Sequence, residues 1–168
     1  GLFALLKAKS MGARVMVADK LKSRLTAASQ YGADCVVNVD ETDLHKTALD
    51  FTAGNGFDVC VEACGAPETF LSCINEAAQG ANVILIGNGK RETTFVHSVI
   101  LKKELNLFGS RNAYTKDFEE LIELALSRKV DIMKMVSGIY DAVNAADAFQ
   151  ALAHNDGSLT KLLIKFGD

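Results

Sequence analysis

The sequence predicts an α/β protein built on a doubly wound parallel sheet. Three helix-like stretches end in Gly-Ala and pass directly into short runs rich in Val, Ile and Leu, at residues 12–17, 32–37 and 80–86. Glycine just past a helix permits the left-handed conformation that ends it. These apolar runs are continuous rather than alternating, which is typical of strands covered on both faces. Helices and strands that alternate in this way form parallel sheets with crossover helices.

The elements follow from these signals in chain order. Helices are predicted at residues 2–11, 21–30, 43–51, 67–78, 115–127 and near 144–153, and strands at 14–18, 34–37, 58–62, 82–87 and 105–109. Pro67 suits the first turn of a helix, where its missing N–H costs nothing. Residues 159–166 have an apolar centre and are a candidate strand. The strand–helix rhythm stops after about Asn112, so we predict a domain at 1–112 and a C-terminal segment at 113–168.

Composition limits the classes of partner. The 168 residues are 49% hydrophobic and 23% charged, as expected for one globular domain. Lys and Arg number 18 against 21 Asp and Glu, so neither sign of charge dominates and we predict no nucleic-acid partner. The most apolar stretch, residues 80–87, is far too short to cross a bilayer, and the N-terminus lacks the basic start of a signal peptide. The sequence therefore predicts a cytoplasmic protein with no membrane partner.

The cysteines are not spaced as metal ligands. Cys60 and Cys64 stand four apart, but the residues around them are typical of a strand, and no CxxC pair occurs among Cys35, Cys60, Cys64 and Cys73. We interpret all four as reduced thiols in a reducing compartment. The three histidines have no ligand-like partners nearby in the sequence, so no metal site is predicted in this chain.

Asp19 is the first candidate for a binding residue. It closes the first predicted strand, where doubly wound folds use an acidic residue, about 20 residues after a helix-opening glycine, to hold an adenosine ribose. Gly1 stands 18 positions before Asp19. Gly1 is therefore expected to be the third glycine of GxGxxG, with the first strand and two glycines outside this chain. Asp19 could instead cap the helix that begins at Leu21, and the residues alone leave both interpretations open.

A wider pattern resembles the cofactor-binding half of zinc-type medium-chain dehydrogenases, closest to sorbitol, threonine and sugar-acid dehydrogenases. The matching runs are residues 1–13 (GLFALLKAKSMGA), 17–19 (VAD), 23–25 (SRL), 31–34 (YGAD), 37–38 (VN), 58–65 (DVCVEACG), 102–112 (KKELNLFGSRN) and 161–166 (KLLIKF). Each motif is weak by itself, but their order and spacing extend over essentially the whole chain. The resemblance implies a Rossmann fold and hydride transfer between a secondary alcohol and NAD.

The resemblance also implies which residues meet the cofactor. Asp19 would hold the adenosine ribose and Arg24 would lie against the adenine. Aspartate repels a 2′-phosphate, which favours NAD over NADP, although Lys20, Lys22 and Arg24 leave NADP open. A sugar-acid carboxylate would suit the planar guanidinium of Arg111. The other implied cofactor-binding residues are Gly1, Ala63, Cys64, Gly65, Ile86, Gly87, Asn88, Ser110, Arg111, Asn112 and Lys161.

Several of these residues also have plain structural interpretations. Gly87 and Gly109 fit ordinary turns, although a glycine at the carboxyl end of a strand also allows a ligand to approach the backbone. Lys161 could reach a pyrophosphate or be an exposed lysine at a strand end. The residues themselves do not decide between these alternatives.

No catalytic residue is expected in this chain. In the resembling family, a catalytic zinc polarises the alcohol oxygen, and its ligands come from an N-terminal catalytic domain. We therefore expect zinc only in that domain, which this chain lacks, and an inactive fragment. The implied substrate is a small alcohol, polyol or sugar acid. Residues 93–101 match the segment through which family members dimerise, so a homodimer is predicted.

A missing first strand has a structural consequence. In the strand order 3-2-1-4-5-6 that strand is central. We expect free edges on residues 14–18 and 82–87, filled by an upstream segment, a partner chain or a rearranged strand of this chain.

Two other functions remain open from the sequence. One is a non-catalytic nucleotide-binding or assembly module that never acquires zinc. The other is an S-adenosylmethionine-dependent methyltransferase, whose sheet also carries an acidic residue after its second strand. No terminal β-hairpin is evident for a methyltransferase, and the match over residues 104–112 favours the dehydrogenase.

Overall fold

A computed structural model describes residues 1–167 and confirms the predicted α/β class. Parallel strands alternate with helices along the chain. The helices are α1 (Leu2–Ser10), α2 (Lys22–Gln30), α3 (Leu44–Thr52), α4 (Pro67–Glu76), α5 (Ser98–Lys103), α6 (Thr115–Leu126) and α7 (Ala145–Ala153). The strands are β1 (Met16–Asp19), β2 (Cys35–Asn38), β3 (Phe57–Glu62), β4 (Ala77–Leu85), β5 (Asn106–Gly109), β6 (Val136–Asp141) and β7 (Lys161–Lys165).

The strands form three parallel groups: β1 with β2, then β3–β4–β5, and finally β6 with β7. The prediction of a free edge at residues 82–87 is wrong, because β4 pairs with β3 on one side and with β5 on the other. In the strand order expected from the sequence, the central position would lie between the free edges of β1 and β3. Within residues 1–167 no strand pairs with either edge, so a rearranged strand of this chain does not fill the position. Filling by another segment or chain stays a prediction.

The main core lies beneath the three-stranded sheet. Ile74 of α4 and Val83 of β4 are almost fully buried, and they pack with Cys60, Ala77, Ala81 and Leu105. Phe70, Val99 and Ile100 cover this cluster from the helices. The apolar run of β4 is buried or half-buried from Ala81 to Leu85, whereas β3 is covered on one face only, because Val59 is 51% and Val61 is 38% exposed. The expectation of cover on both faces is therefore wrong for β3.

Two boundaries differ from the prediction. Helix α4 ends at Glu76 and β4 begins at Ala77, because Ala77 pairs with Phe57 before the register shifts and Asn82 pairs with Val59. The early start makes β4 longer than a run of apolar residues suggests. Helix α5 occupies the second half of the segment predicted to dimerise.

The sequence predicted that the alternation of strands and helices stops after about Asn112, but in the structure it continues. Helix α6 is followed by β6, α7 and β7, and β6 pairs in parallel with β7. Residues of β6 alternate between half-buried and exposed, so this strand lacks the continuous apolar run that marks the others. The candidate strand at 159–166 is confirmed as β7. The proposed boundary between 1–112 and 113–168 stays a prediction.

Helices of the described residues are all too short or too polar to cross a membrane.

Lys103 closes the C-terminal end of α4. Its Nζ donates to the carbonyl oxygens of Ile74 (3.1 Å), Asn75 (2.5 Å) and Ala77 (2.9 Å). The last carbonyls of a helix lack partners within the helix, and a cation there also complements the helix dipole. One side chain from α5 therefore holds the junction between α4 and β4.

We expect Lys103→Met to lower the free energy of unfolding by about 2 kcal/mol, because the apolar stem stays while the charged hydrogen bonds are lost. Urea denaturation followed by circular dichroism measures the change. Lys102→Met alters the exposed neighbouring lysine and is expected to stay within about 0.5 kcal/mol of wild type. Equal effects of the two substitutions would contradict the capping role of Lys103.

Candidate functional site

The carboxyl ends of β1, β3, β4 and β5 carry most of the predicted cofactor residues. The residues after β3, β4 and β5 project from one edge of their parallel sheet, where ligands bind to doubly wound sheets. The end of β1, in a separate pair, is near the turn after β3, because the charge of Asp19 acts on Cys64. A second group comes from α1 and β7. The structure brings these groups together to different degrees, as follows.

The two carboxylate oxygens of Asp19 have different partners, the backbone at the start of α2 and the side chain of Arg24. Its Oδ1 accepts a hydrogen bond from the Leu21 N–H at 2.9 Å, so it supports the entry to α2, as the capping interpretation expects. Its Oδ2 lies 3.6 Å from Arg24 Nη1. The Asp19 side chain is 18% exposed, whereas Arg24 is 50% exposed. One carboxylate oxygen is thus committed to the fold, and the other faces only the guanidinium of Arg24.

Gly1, Ala63 and Cys64 lie beside Asp19. A Cβ built on Gly1 would lie 3.8 Å from Ala63 Cβ, which places the start of α1 against the turn after β3. Partial burial of the thiol, followed by the negative charges of Asp19 and Glu62, raises the pKa of Cys64, while Arg24 opposes this shift. The thiol is therefore held in its neutral form.

Glu62 ends β3 and is the buried charged residue that the sequence analysis missed. It is 3% exposed. Its Oε1 accepts hydrogen bonds from the N–H groups of Cys64 and Gly65, both at 2.8 Å, and from Thr69 Oγ1 at 2.6 Å. Burial alone would raise the pKa of Glu62, but the hydrogen bonds from Thr69, Cys64 and Gly65 keep it below its usual value. The available signal was a glutamate directly after the apolar run Val59-Cys60-Val61.

The turn after β4 packs against the turn after β3 with no room for side chains. A Cβ on Gly87 would lie 2.1 Å from Gly65 N, and one on Gly65 would lie 2.5 Å from Gly89 N. Gly65 also has a φ of +75°, which favours glycine. Two of the predicted glycines therefore meet backbone to backbone, and Gly89 is a third member that was missed. Ile86 and Asn88 flank Gly87 and are exposed.

Lys161 approaches the start of α1. Its Nζ lies 5.9 Å from the centre of the Phe3 ring, in the first turn of that helix. The positive end of the α1 dipole and the lysine are thus close together, an arrangement that suits an anion. The roles of pyrophosphate ligand and of exposed strand-end lysine both stay predictions for Lys161.

Ser110, Arg111 and Asn112 follow β5 and are all exposed. The Ser110 N–H donates to Leu85 O at 2.9 Å, which joins this segment to the end of β4. Within residues 1–167 neither Arg111 nor Asn112 has a side-chain hydrogen bond or ion pair. The structure therefore places these two at the correct edge without bringing them onto the other predicted residues.

A loop of the C-terminal segment, residues 155–159, reaches the same region and was not predicted. Asn155 Oδ1 accepts from the N–H groups of Gly157 and Leu159 at 2.9 and 3.0 Å. Gly157 has a φ of +96°, and a Cβ there would lie 2.7 Å from Leu21 Cδ1. The loop thus packs on the first turn of α2, beside Arg24. The Asn-Asp-Gly sequence was the signal for a tight turn.

Cavities lie at both edges of the three-stranded sheet. An open cleft of about 220 Å³ at the carboxyl edge is lined by residues that include Glu62, Gly65, Phe70, Gly87 and Arg91. A cavity of about 250 Å³ lies at the opposite edge, where His45 and Glu76 are paired at 2.9 Å. The cleft is the one that coincides with the predicted site.

No three His, Cys, Asp or Glu residues within 1–167 are grouped as metal ligands. All four cysteines are free thiols. Cys60 and Cys73 belong to the core beneath β3 and β4. The hydrogen bond between their thiols, together with burial, raises the pKa of Cys73.

Comparison with known proteins supplies the family. The family model described as zinc-binding dehydrogenase matches residues 1–127. The chain is 31% identical over 137 residues to an uncharacterized zinc-type alcohol dehydrogenase-like protein of Haemophilus influenzae, which covers 82% of this chain and 40% of that protein. It is 29% identical over 171 residues to the D-xylulose reductase of Saccharomyces cerevisiae, covering 98% of this chain and 48% of the relative.

Solved structures agree with the sequence relatives. An oxidoreductase/dehydrogenase of unknown specificity from Escherichia coli superimposes with a TM-score of 0.90 at 26% identity, over 99% of this chain and 48% of that one. An alcohol dehydrogenase from E. coli CFT073, solved with NADH, has a TM-score of 0.89 at 24% identity, over 98% of this chain and 49% of that one, and shows the shared fold. This chain spans about half the length of the relatives it matches. The chain belongs to the zinc-binding dehydrogenase family.

Proposed function

We propose that this chain is the NAD-binding part of a zinc-dependent dehydrogenase that acts on a secondary alcohol, polyol or sugar acid. The observation that carries the proposal is the position of Asp19, whose Oδ2 faces Arg24 at the carboxyl edge of β1, beside Gly1 and Cys64. Both the family membership and an NADH complex of a protein with the same fold support this assignment.

The residues present fit an adenosine ribose. Asp19 Oδ1 is occupied by the Leu21 N–H, which fixes the carboxylate, while Oδ2 keeps lone pairs that can accept from the ribose hydroxyls. Arg24 is half exposed, and its planar guanidinium can stack on an adenine ring. The same carboxylate would repel a 2′-phosphate, which favours NAD over NADP.

The remaining cofactor contacts are proposed in two groups. The start of α1 at Gly1, together with Lys161, would hold the pyrophosphate, because a helix N-terminus and a lysine both favour negative charge. The turn at Ala63–Gly65 would line the cofactor on its adenosine side, and backbone groups of Ile86–Asn88 and Ser110–Asn112 would surround the nicotinamide. When bound, NAD supplies the hydride acceptor, and the chain's own residues bind and orient it.

Zinc does not fit the residues described. None of the His, Cys, Asp and Glu residues within 1–167 form a ligand group. In this proposal the zinc and most of the substrate pocket belong to a catalytic domain outside this chain, and the chain alone is inactive. Arg111, exposed beyond β5, is the residue of this chain that we propose for contact with a substrate carboxylate.

Titration of the chain with NADH, followed by nicotinamide fluorescence, tests the proposal. We expect saturable binding of NADH, weaker binding of NADPH, and no binding of S-adenosylmethionine in a parallel calorimetric titration. Failure of NADH to saturate the protein would overturn the proposed function. Preferential binding of S-adenosylmethionine would favour a methyltransferase instead.

Homodimerisation through residues 93–101 is part of the proposal. Val99 and Ile100 pack on the core, whereas Leu101 is 76% exposed and Val96 is 74% exposed, so the segment presents apolar side chains outward. We expect Leu101→Asp to raise the dimer dissociation constant at least about tenfold, because a charge would have to be buried in the interface.

Sedimentation velocity over a range of protein concentrations measures this effect. The matched control is Leu126→Asp, which changes an equally exposed leucine (77%) at the end of α6, outside the segment. A wild-type chain that stays monomeric, or an equal effect of the two substitutions, would contradict dimerisation through this segment.

A further inference from the structure

Glu62 stands out in the described part of the chain as its only buried charged residue. Removing a carboxylate from water is costly unless hydrogen bonds replace the lost hydration. An apolar side chain at this position could be buried without any hydrogen-bond partners. The contacts of this carboxylate therefore indicate what it does.

The side chain holds the turn after β3. Oε1 receives the N–H groups of Cys64 and Gly65 and the hydroxyl of Thr69, so it connects the turn to the first turn of α4. Thr69 Oγ1 also lies 2.8 Å from Ala66 O, but its single hydroxyl proton is donated to the charged carboxylate of Glu62. Three donors on one oxygen leave the turn little freedom to move relative to α4.

The same residue holds the turn after β4. Its backbone oxygen accepts from the N–H groups of Ile86 and Gly87 at 2.9 and 3.0 Å. Its Oε2 lies so close to Gly87 that a Cβ on that glycine would stand 2.3 Å away. Side chain and backbone of Glu62 thus contact both turns that border the cleft.

We propose that Glu62 is a positioning residue for the cofactor. It holds the turn of Cys64 and Gly65 against the turn of Gly87. Glu62 therefore sets the distance between the two turns that border the cleft, without itself contacting NAD. The inference rests on the proposed function, because it assigns a role in the same site. If Glu62 had only a structural role, its replacement would lower the stability of the protein and leave the NADH affinity of the folded protein unchanged.

Three variants separate positioning from stability. Glu62→Ala removes the acceptor, Glu62→Gln keeps an acceptor oxygen but not the charge, and Thr69→Val removes one donor. The matched control is Glu76→Ala. Glu76 is a nearly buried glutamate (11% exposed) at the end of α4, the helix that also contains Thr69, and it lies at the opposite edge of the sheet. The dissociation constant for NADH is measured for each variant at a temperature where circular dichroism shows it fully folded, with the fluorescence of bound nicotinamide recorded alongside.

We expect the dissociation constant to rise at least about tenfold for Glu62→Ala, since displacement of a binding group by even 1 Å is costly. Glu62→Gln and Thr69→Val should raise it about threefold, which would show partial rescue by the conservative variant. Glu76→Ala should leave it unchanged and lower only the thermal stability. If Glu62→Ala does not fold, the other two variants decide.

A folded Glu62→Ala, or folded Glu62→Gln and Thr69→Val, with wild-type NADH affinity would overturn the positioning role. So would an equal loss of affinity in Glu76→Ala. Absence of NADH binding to the wild-type chain would be a different result, since it overturns the proposed function itself.

Discussion

Gly87→Ala is expected to lower the free energy of unfolding by about 3 kcal/mol, at the upper end of the usual cost of overpacking. The new Cβ would lie 2.1 Å from Gly65 N and 2.3 Å from Glu62 Oε2. Neither atom can move freely, because Gly65 N is hydrogen-bonded to Glu62 Oε1 and Glu62 is buried. The turns must separate, so NADH affinity should fall at least about tenfold as well.

The natural comparison is Gly109→Ala, a glycine at the carboxyl end of the neighbouring strand β5. A Cβ there meets nothing within 4 Å, so we expect a change within about 0.5 kcal/mol. Urea denaturation and NADH titration measure the two effects in both variants. Wild-type stability of Gly87→Ala would show that the two turns are not packed as described.

The second large effect is expected from Asp19→Asn. The amide keeps an oxygen for the Leu21 N–H, so the fold should lose no more than about 1 kcal/mol. The ribose hydroxyls lose a charged acceptor, for which about 1.5–3 kcal/mol is typical, equivalent to a roughly 10- to 150-fold loss of NADH affinity. NADPH should lose less, because the repulsion of its 2′-phosphate is removed.

Asp40→Asn provides the control for this substitution. Asp40 follows β2, is 60% exposed and lies 3.8 Å from Lys20, so it is an acidic residue near a strand end outside the site. Fluorescence titration with NADH and NADPH should give wild-type values for Asp40→Asn. Unchanged NADH affinity in Asp19→Asn would remove the ribose assignment, and an equal loss of affinity and stability would indicate a capping role alone.

Much of the fold was predictable because a glycine that ends a helix, followed by a short apolar run, leaves a clear pattern in the sequence. Apolar runs follow Gly12, Gly32, Gly56 and Gly80, and they lie in β1, β2, β3 and β4. Strand β5 has no glycine before it but overlaps the segment predicted at residues 105–109. Strand β6 was missed because Ile139 is exposed beside half-buried Gly138 and Tyr140, so its pattern alternates. The free edge was misplaced because pairing depends on contacts between distant segments.

The candidate site was predictable only in outline. Asp19 and Gly87 could be named because a parallel sheet places its ligands after its strands. The role of Glu62 could not, since it depends on how the turn folds back to present two N–H groups to one oxygen. Packing of Gly157 against Leu21 joins positions far apart in the chain, and no local pattern reports such a contact.

The separation of the β1–β2 pair from the three-stranded sheet affects how the protein unfolds locally. No ladder joins the two groups within residues 1–167, and the main buried cluster belongs to β3–β5. Backbone amides of β1 and β2 should therefore exchange with deuterium through a smaller opening than those of β3 and β4. Asp19 ends one group and Gly87 the other. A nucleotide that contacts both groups of strands must dissociate before either group unfolds, so its binding free energy is added to the cost of each local unfolding. The amides of both groups should therefore exchange together when the protein is saturated with nucleotide.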